Sequence, residues 1–117
     1  MLVVQDLYKS FATDFGAVKA VDRISFEVPQ GAFFSLLGPS GCGKTTTLRC
    51  IAGLDRPEQG EIKVDGAVVF SSNQKILVPP HQRNIGMVFQ SYAIWPHMNV
   101  FDNVAFPLRI GQKVARR

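Results

Sequence analysis

Cysteine is scarce in this sequence of 117 residues, and long hydrophobic runs are absent from it. The two cysteines, Cys42 and Cys50, fall in a glycine-rich loop and in the helix that should follow it, so they are poor disulfide partners. No apolar stretch approaches the roughly 20 residues that span a bilayer. No basic N-terminal segment precedes a long apolar core, as it does in a signal peptide. We therefore expect a cytoplasmic protein.

A concentrated basic surface is also lacking, although the net charge is +4. The basic residues are scattered along the chain, and only Lys113, Arg116 and Arg117 lie close together. No stripe of mixed basic and aromatic residues accompanies them, as it does in many nucleic-acid-binding proteins. The sequence therefore predicts an ordinary solvated surface and no nucleic-acid partner.

The most informative feature that is present is the run G-P-S-G-C-G-K-T at residues 38–45. It fits the phosphate-binding loop pattern G-x-x-x-x-G-K-[ST]. The apolar residues 33–37 before it predict a buried strand, and the residues from Lys44 predict a helix that Gly53 should end. A strand that leads into a glycine loop and then a helix is the context this motif requires. The sequence therefore predicts a site for nucleotide phosphates.

Each residue of the loop has a chemical reason to be there. Glycines let the backbone turn tightly and approach an anion, and the loop N–H groups then form a nest at the positive end of the helix. Lys44 can bridge the outer phosphates, and the Thr45 hydroxyl can bind Mg²⁺. The residues that we expect to bind the nucleotide here are Gly38, Pro39, Ser40, Gly41, Cys42, Gly43, Lys44, Thr45 and Thr46.

Elsewhere the hydrophobic pattern predicts strands at residues 2–8, 18–28, 61–65, 67–70 and 85–89, with a polar loop at residues 71–83. Asn99 should cap a helix that runs to about Phe106, where Pro107 should stop or kink it. This order of elements indicates an antiparallel β layer beside the start of a parallel α/β core.

Three separated motifs resemble those of ABC transporter ATP-binding subunits, in the same order. Residues 36–54 are similar to the family's first nucleotide motif, residues 60–66 to its β-hairpin and residues 83–97 to its glutamine loop. The resemblance covers nearly the whole chain. It implies an α/β fold of the P-loop NTPase type, with a RecA-like parallel core and an antiparallel β subdomain. Residues 1–117 would then be the N-terminal portion of one ATP-binding domain, here incomplete.

The resemblance also implies the cofactors, ATP and Mg²⁺, and further roles for single residues. Gln90 matches the glutamine that reaches Mg²⁺ and the attacking water, so Lys44 and Gln90 are the expected catalytic residues and Thr45 and Gln90 the expected metal ligands. An amide suits this role because it can accept a hydrogen bond from water and bind a metal without adding charge. Taken alone, Gln90 is an ordinary polar residue at a strand end.

The family stacks an aromatic side chain on adenine, near the end of its first strand. Phe11 follows Lys9 and Ser10 as that pattern expects, but Phe15 also fits because residues 12–15 resemble a short insertion. Tyr8 is a weaker third choice. The sequence leaves the choice open, and each of these rings could instead belong to the core.

The resemblance further implies partners. Residues 91–98, from Ser91 to Met98, match the segment at the docking groove for a membrane permease subunit, although a packed aromatic cluster would explain them equally well. The intact family works as a pair of ATP-binding subunits on the inner face of the cell membrane, so a homodimer is expected. The sequences of the motifs are most similar to those of importers of iron(III), polyamines, sulfate or sugars.

The family's L-S-G-G-Q signature, its acidic strand end and its switch histidine have no counterpart in these residues. Hydrolysis needs several charged groups acting together. We therefore expect residues 1–117 by themselves to bind ATP without hydrolysing it steadily. A truncated nucleotide-binding remnant is therefore one alternative. A small-molecule kinase or GTPase is another, but the guanine-reading motif Asn-Lys-x-Asp is absent.

Overall fold

A computed structural model describes residues 1–38, 43–89 and 94–115 of the chain. The described residues fall into two compact units, Met1–Gly86 and Met87–Arg117. The elements of the first unit are β1 (Leu2–Thr13), β2 (Gly16–Val28), α1 (Lys44–Ala52), β3 (Gln59–Val64), β4 (Ala67–Ser71), β5 (Ile76–Leu77) and a 3-10 turn (Pro80–Gln82). The second unit contains α2 (Val100–Ala115).

One antiparallel sheet of five strands, in the order β2-β1-β3-β4-β5, forms the frame of the first unit. The long strand β1 lies near its centre and pairs on both sides, so that Val4 is opposite Phe26 on β2 and Ile62 on β3. The predicted antiparallel layer is confirmed. Its strands β1 and β2 extend further than the hydrophobic pattern indicated, because residues 9–13 and 16–17 continue the hairpin pairing up to its turn.

Helix α1 packs against one face of this sheet and completes a small core. The sheet supplies Val4, Leu7, Val21, Ile62, Val69 and Phe70, and the helix supplies Cys50 and Ile51. Burying each large apolar side chain contributes about 1.5–3 kcal/mol. The core therefore fixes the position of α1, and with it the end of the predicted phosphate-binding loop, on the sheet.

The strands predicted at residues 33–37 and 85–89 are wrong for the structure as described, because neither segment is hydrogen-bonded into a sheet. A strand needs a neighbour to satisfy its backbone groups. Every strand pair in the described residues is antiparallel and belongs to the single sheet. The Phe34 ring stacks on Phe26 of β2 at a centroid distance of 5.0 Å, although Phe34 remains 49% exposed. Phe33 and Leu37 are almost wholly exposed.

Helix α2 begins where the sequence predicted but continues well past the expected end. The Asn99 side-chain oxygen accepts the backbone N–H of Asp102 at 2.7 Å, which confirms the N-cap. The end predicted near Phe106 is wrong, since Pro107 lies inside the helix. Proline removes one backbone donor, and the helix tolerates that loss here. Neither helix in the described ranges has the length and hydropathy of a membrane-spanning segment.

Candidate phosphate-binding site

The backbone of Gly43 sets the geometry at the end of the glycine loop. Gly43 is the N-cap of α1 and has a φ of +93°, in the left-handed region. A Cβ at this position would overlap the Ala20 carbonyl oxygen of β2 and lie 3.1 Å from its carbonyl carbon. Only glycine combines this φ with such a close approach, so the loop ends in direct contact with the sheet.

The side chain of Lys44 joins the two ends of the loop. Its ammonium donates a hydrogen bond to the backbone carbonyl of Gly38, six residues earlier. This places a positive charge beside the loop and at the positive end of α1. The first turn of α1 carries no acidic residue, so no carboxylate of that turn neutralises the charge. The arrangement favours an anion.

Three threonines follow, and they face different surroundings. Thr47 is buried, and its hydroxyl and backbone N–H both donate to the Gly43 carbonyl, at 2.8 and 2.9 Å. It therefore anchors the first turn of α1. Thr45 is exposed and Thr46 is half-buried, so the Thr45 hydroxyl is accessible to a solvated cation.

The structure thus brings Gly38, Gly43, Lys44 and Thr45 together at one end of α1. The other members of the predicted site lie outside the described residues, and their roles stay predictions: Pro39, Ser40, Gly41, Cys42 and Gln90.

The two aromatic candidates for the base occupy different positions on the hairpin of β1 and β2. Phe11 lies opposite Val18 and is 41% exposed, with the Lys9 ammonium 4.8 Å from its ring centroid. Phe15 lies in the turn between the strands and is wholly exposed. Phe11 therefore has a ring that a cation–π contact holds in place, and Phe15 does not.

Arg83, for which the sequence predicted no role, binds the opposite end of α1. Its side chain is buried, and its guanidinium donates to the carbonyls of Val78, Cys50 and Ile51 at 2.8, 2.9 and 3.0 Å. The last two carbonyls belong to the final turn of α1. Burial lowers the pKa of the Arg83 guanidinium. A cation at a helix C-terminus is favourable. Arg83 satisfies the Ile51 carbonyl and adds to the bond that the Cys50 carbonyl accepts from the Gly53 N–H at 3.3 Å.

Cys50, in the last turn of α1, is not a chemical participant. The residue is fully buried, and burial raises the pKa of its thiol to about 11. The nucleophilic form of cysteine is the thiolate. At neutral pH Cys50 is therefore a protonated, inert core side chain.

Comparison with known protein families shows which family this chain belongs to. The family model described as ABC transporter matches residues 21–117. This chain belongs to the ABC transporter family.

Curated relatives within the family are import ATP-binding proteins. The trehalose/maltose import ATP-binding protein of Thermococcus litoralis is 56% identical over 88% of this chain. The spermidine/putrescine import ATP-binding protein of Nitrosospira multiformis is 52% identical over 85%, and the glucose import ATP-binding protein of Saccharolobus solfataricus is 47% identical over 92%. The chain spans only 27%, 26% and 30% of these three proteins.

Solved structures of the same family resemble the fold. A bacterial ABC transporter cassette, solved as a dimer, has a TM-score of 0.79 and 28% identity over 94% of this chain and 47% of the cassette. The same cassette has been solved as a dimer in a post-hydrolysis state bound to ADP and phosphate. The predicted fold class, a P-loop NTPase with an antiparallel β subdomain, is confirmed. The described residues hold the β subdomain and α1.

Proposed function

We propose that this chain binds ATP with Mg²⁺ as the nucleotide-binding part of an ABC importer. The observation that carries the proposal is the end of α1, where Gly43 turns the loop against β2 and Lys44 adds a positive charge. The names of the relatives, which are import ATP-binding proteins, give the direction of transport.

The residues present fit the phosphates of a nucleotide. The positive end of α1 carries the Lys44 ammonium and the exposed Thr45 residue. No carboxylate in the first turn of α1 would repel an anion there. On binding, Lys44 would exchange the Gly38 carbonyl for phosphate oxygens, a stronger charge-assisted pairing. Thr45 would offer its hydroxyl to Mg²⁺, which keeps several waters and takes other oxygens from the phosphates. Gln90 would orient the attacking water.

Replacing Lys44 with alanine should weaken ATP binding by about 10- to 150-fold, since a hydrogen bond to a charged group contributes about 1.5–3 kcal/mol. Titration of the purified protein with ATP and Mg²⁺, followed by calorimetry, measures this change. Lys63→Ala is the matched control, because it removes the same charge from β3 at an ion pair with Glu61 on the surface. Equal affinities of the Lys44 and Lys63 variants would refute the site.

The adenine should stack on Phe11. Phe11 pairs with Val18, two residues from Ala20, whose carbonyl contacts Gly43, whereas Phe15 is five residues from Ala20. At about 3.3 Å per strand residue and about 4.8 Å between paired strands, Phe11 lies roughly 8 Å from Ala20 and Phe15 roughly 16 Å. The ring of Phe11 is also already held by Lys9, so little side-chain freedom is lost when a base binds.

Phe11→Ala should weaken ATP binding by about 5- to 150-fold, because the stacking of a base on an aromatic ring contributes about 1–3 kcal/mol. Phe15→Ala, the matched control from the same hairpin, should leave the affinity unchanged. Titration with ATP and with inorganic triphosphate checks the assignment, since triphosphate has no base and should not distinguish Phe11→Ala from the parent. A loss confined to Phe15→Ala would assign the base to the hairpin turn instead.

The second unit supplies the proposed contact with the permease. In the described part of residues 91–98, Ile94 and Trp95 expose apolar surface, and Met98 is half-buried. Apolar residues of α2 are also exposed, among them Val100, Phe101, Val104 and Leu108. Grouped apolar surface is typical of interaction sites. We propose that this unit contacts the permease subunits on the inner face of the membrane, and that two ATP-binding subunits act as a homodimer.

A further inference from the structure

The side chain of Asn103, in the first turns of α2, binds the segment before the helix through both ends of its amide. Its oxygen accepts the backbone N–H of Trp95 at 2.9 Å. Its nitrogen lies 3.2, 3.1 and 2.8 Å from the carbonyl oxygens of Trp95, Met98 and Asn99. The amide nitrogen has two hydrogens for these three acceptors, so one hydrogen is shared, as is common at helix termini.

These contacts require a side chain that accepts at one end and donates at the other, and the Asn103 amide does so in only one orientation. If the oxygen and nitrogen of Asn103 were exchanged, the nitrogen would face the N–H of Trp95 and the oxygen would face three carbonyls. Donor would oppose donor and acceptor would oppose acceptor. The side chain therefore pairs with the backbone N–H and C=O of Trp95 as a neighbouring strand does, and a carboxylate cannot replace it because it only accepts.

The bound segment is a compact turn. The Met98 N–H donates to the Trp95 carbonyl at 3.2 Å, which closes a four-residue turn with Pro96 at its second position. The Trp95 ring packs on Phe106 of α2 at a centroid distance of 4.5 Å. Asn99, the residue directly after the turn, caps α2 with its side-chain oxygen. Backbone and ring are thus both attached to the helix, with Asn103 at the centre.

We propose that Asn103 is a positioning residue, which holds the turn of residues 95–98 in the shape that the permease subunits recognise. The inference rests on the proposed function, because that function makes this turn part of the partner contact. A turn held in its bound shape loses less conformational freedom on docking than a free one. Asn103 thus contributes to assembly through the turn.

The test is Asn103→Asp, which keeps nearly the same shape, loses the two N–H donors and gains a negative charge. Asn99→Asp is the matched control, because it adds the same charge four residues away and aspartate caps a helix as well as asparagine. Trp95 is the only tryptophan of the chain, so its fluorescence reports on the turn directly. In Asn103→Asp we expect acrylamide quenching to rise about twofold, because the ring, 39% exposed when held, becomes accessible when released. Asn99→Asp should match the parent.

Two further measurements separate positioning from general unfolding. The affinity for ATP should be the same in all three proteins, since the phosphate-binding loop lies in the other unit. The affinity for reconstituted permease subunits should fall about tenfold in Asn103→Asp only. Unchanged quenching overturns the proposal, and so does raised quenching with unchanged assembly. If the parent protein does not assemble with a permease at all, the proposed function fails, whatever the quenching shows.

Discussion

Replacing Gly43 with alanine should abolish measurable ATP binding and destabilise the first unit by several kcal/mol. Two costs combine at this residue. A φ of +93° is strained for any residue with a Cβ, by about 1–2 kcal/mol. The new Cβ would also overlap the Ala20 carbonyl oxygen, so either β2 or the start of α1 must move. Movement of α1 displaces Lys44 and the N–H groups that the phosphates require, and a small misplacement is costly.

Gly66→Ala is the matched control for this prediction. Gly66 has a similar φ of +82°, in the turn between β3 and β4, but a Cβ there would meet no atom within 4 Å. It therefore carries the conformational cost without the overlap, and should lower the free energy of unfolding by about 1–2 kcal/mol with ATP affinity intact. Denaturant titration and calorimetry measure both quantities. Wild-type affinity in Gly43→Ala would show that contact with Ala20 does not set the loop.

The two ends of α1, the helix that follows the predicted phosphate-binding loop, could be located from the sequence because their signals are local. Gly43 and Gly53 both adopt the left-handed conformation, and they bracket α1 at the residues where the pattern placed its ends. The Asn99 cap was predictable for the same reason, since a short polar side chain bonds to the backbone three residues ahead. Such features depend on a few neighbouring residues and not on the rest of the fold.

Local pattern located the strands of the antiparallel sheet, but it also predicted strands at residues 33–37 and 85–89, where the structure has none. The apolar residues 33–37 have the composition of a buried strand, but a strand exists only where a second one pairs with it. The end of α2 was missed for a different reason. Proline removes one hydrogen bond from a helix, and the neighbouring residues decide whether the helix stops there. With Pro107 inside α2, the remaining bonds outweigh that loss.

Arg83 and Asn103 were outside the reach of sequence reasoning. The side chain of each forms hydrogen bonds to backbone carbonyls. Every residue has a backbone carbonyl, so the type of the accepting residue does not reveal the bond in the sequence. Arg83 reaches Cys50 and Ile51, more than thirty residues away. The only sign of Arg83 was a charged residue two positions before the apolar run at residues 85–89, and such residues are usually exposed.

Replacing Arg83 with methionine should lower the free energy of unfolding by about 3 kcal/mol. The substitution leaves the carbonyls of Val78 and Ile51 without their donor, and leaves the Cys50 carbonyl with only the Gly53 N–H at 3.3 Å. An unsatisfied buried group costs about 1–3 kcal/mol. It also removes a buried charge, whose desolvation opposes folding. Three lost bonds outweigh that gain, because the guanidinium is bound in the conformation that the helix end requires. The midpoint of thermal unfolding should fall by about 12–24 °C, at about 4–8 °C per kcal/mol for a unit of this size.

Two further variants separate charge from geometry. Arg83→Lys keeps the charge but has one nitrogen, so it cannot bond to Val78 and to the helix end together. We expect it to lose most of the same stability. Arg56→Ala removes a positive charge from an exposed arginine and should change stability by less than about 0.5 kcal/mol. Full stability in Arg83→Lys would mean that attraction to the helix terminus, and not the forked geometry, holds α1.

Addition of ATP should raise the thermal stability of Arg83→Met but not that of Gly43→Ala. Arg83 holds the C-terminal end of α1, whereas Gly43 shapes the end that carries Lys44. A ligand at 100 times its dissociation constant stabilises the folded state by about 2.7 kcal/mol. ATP should therefore restore most of the stability lost in Arg83→Met, and none of that lost in Gly43→Ala, where the binding site itself is gone. Thermal unfolding with and without ATP measures both. Restoration of Gly43→Ala by ATP would mean that the loop tolerates the displacement of α1.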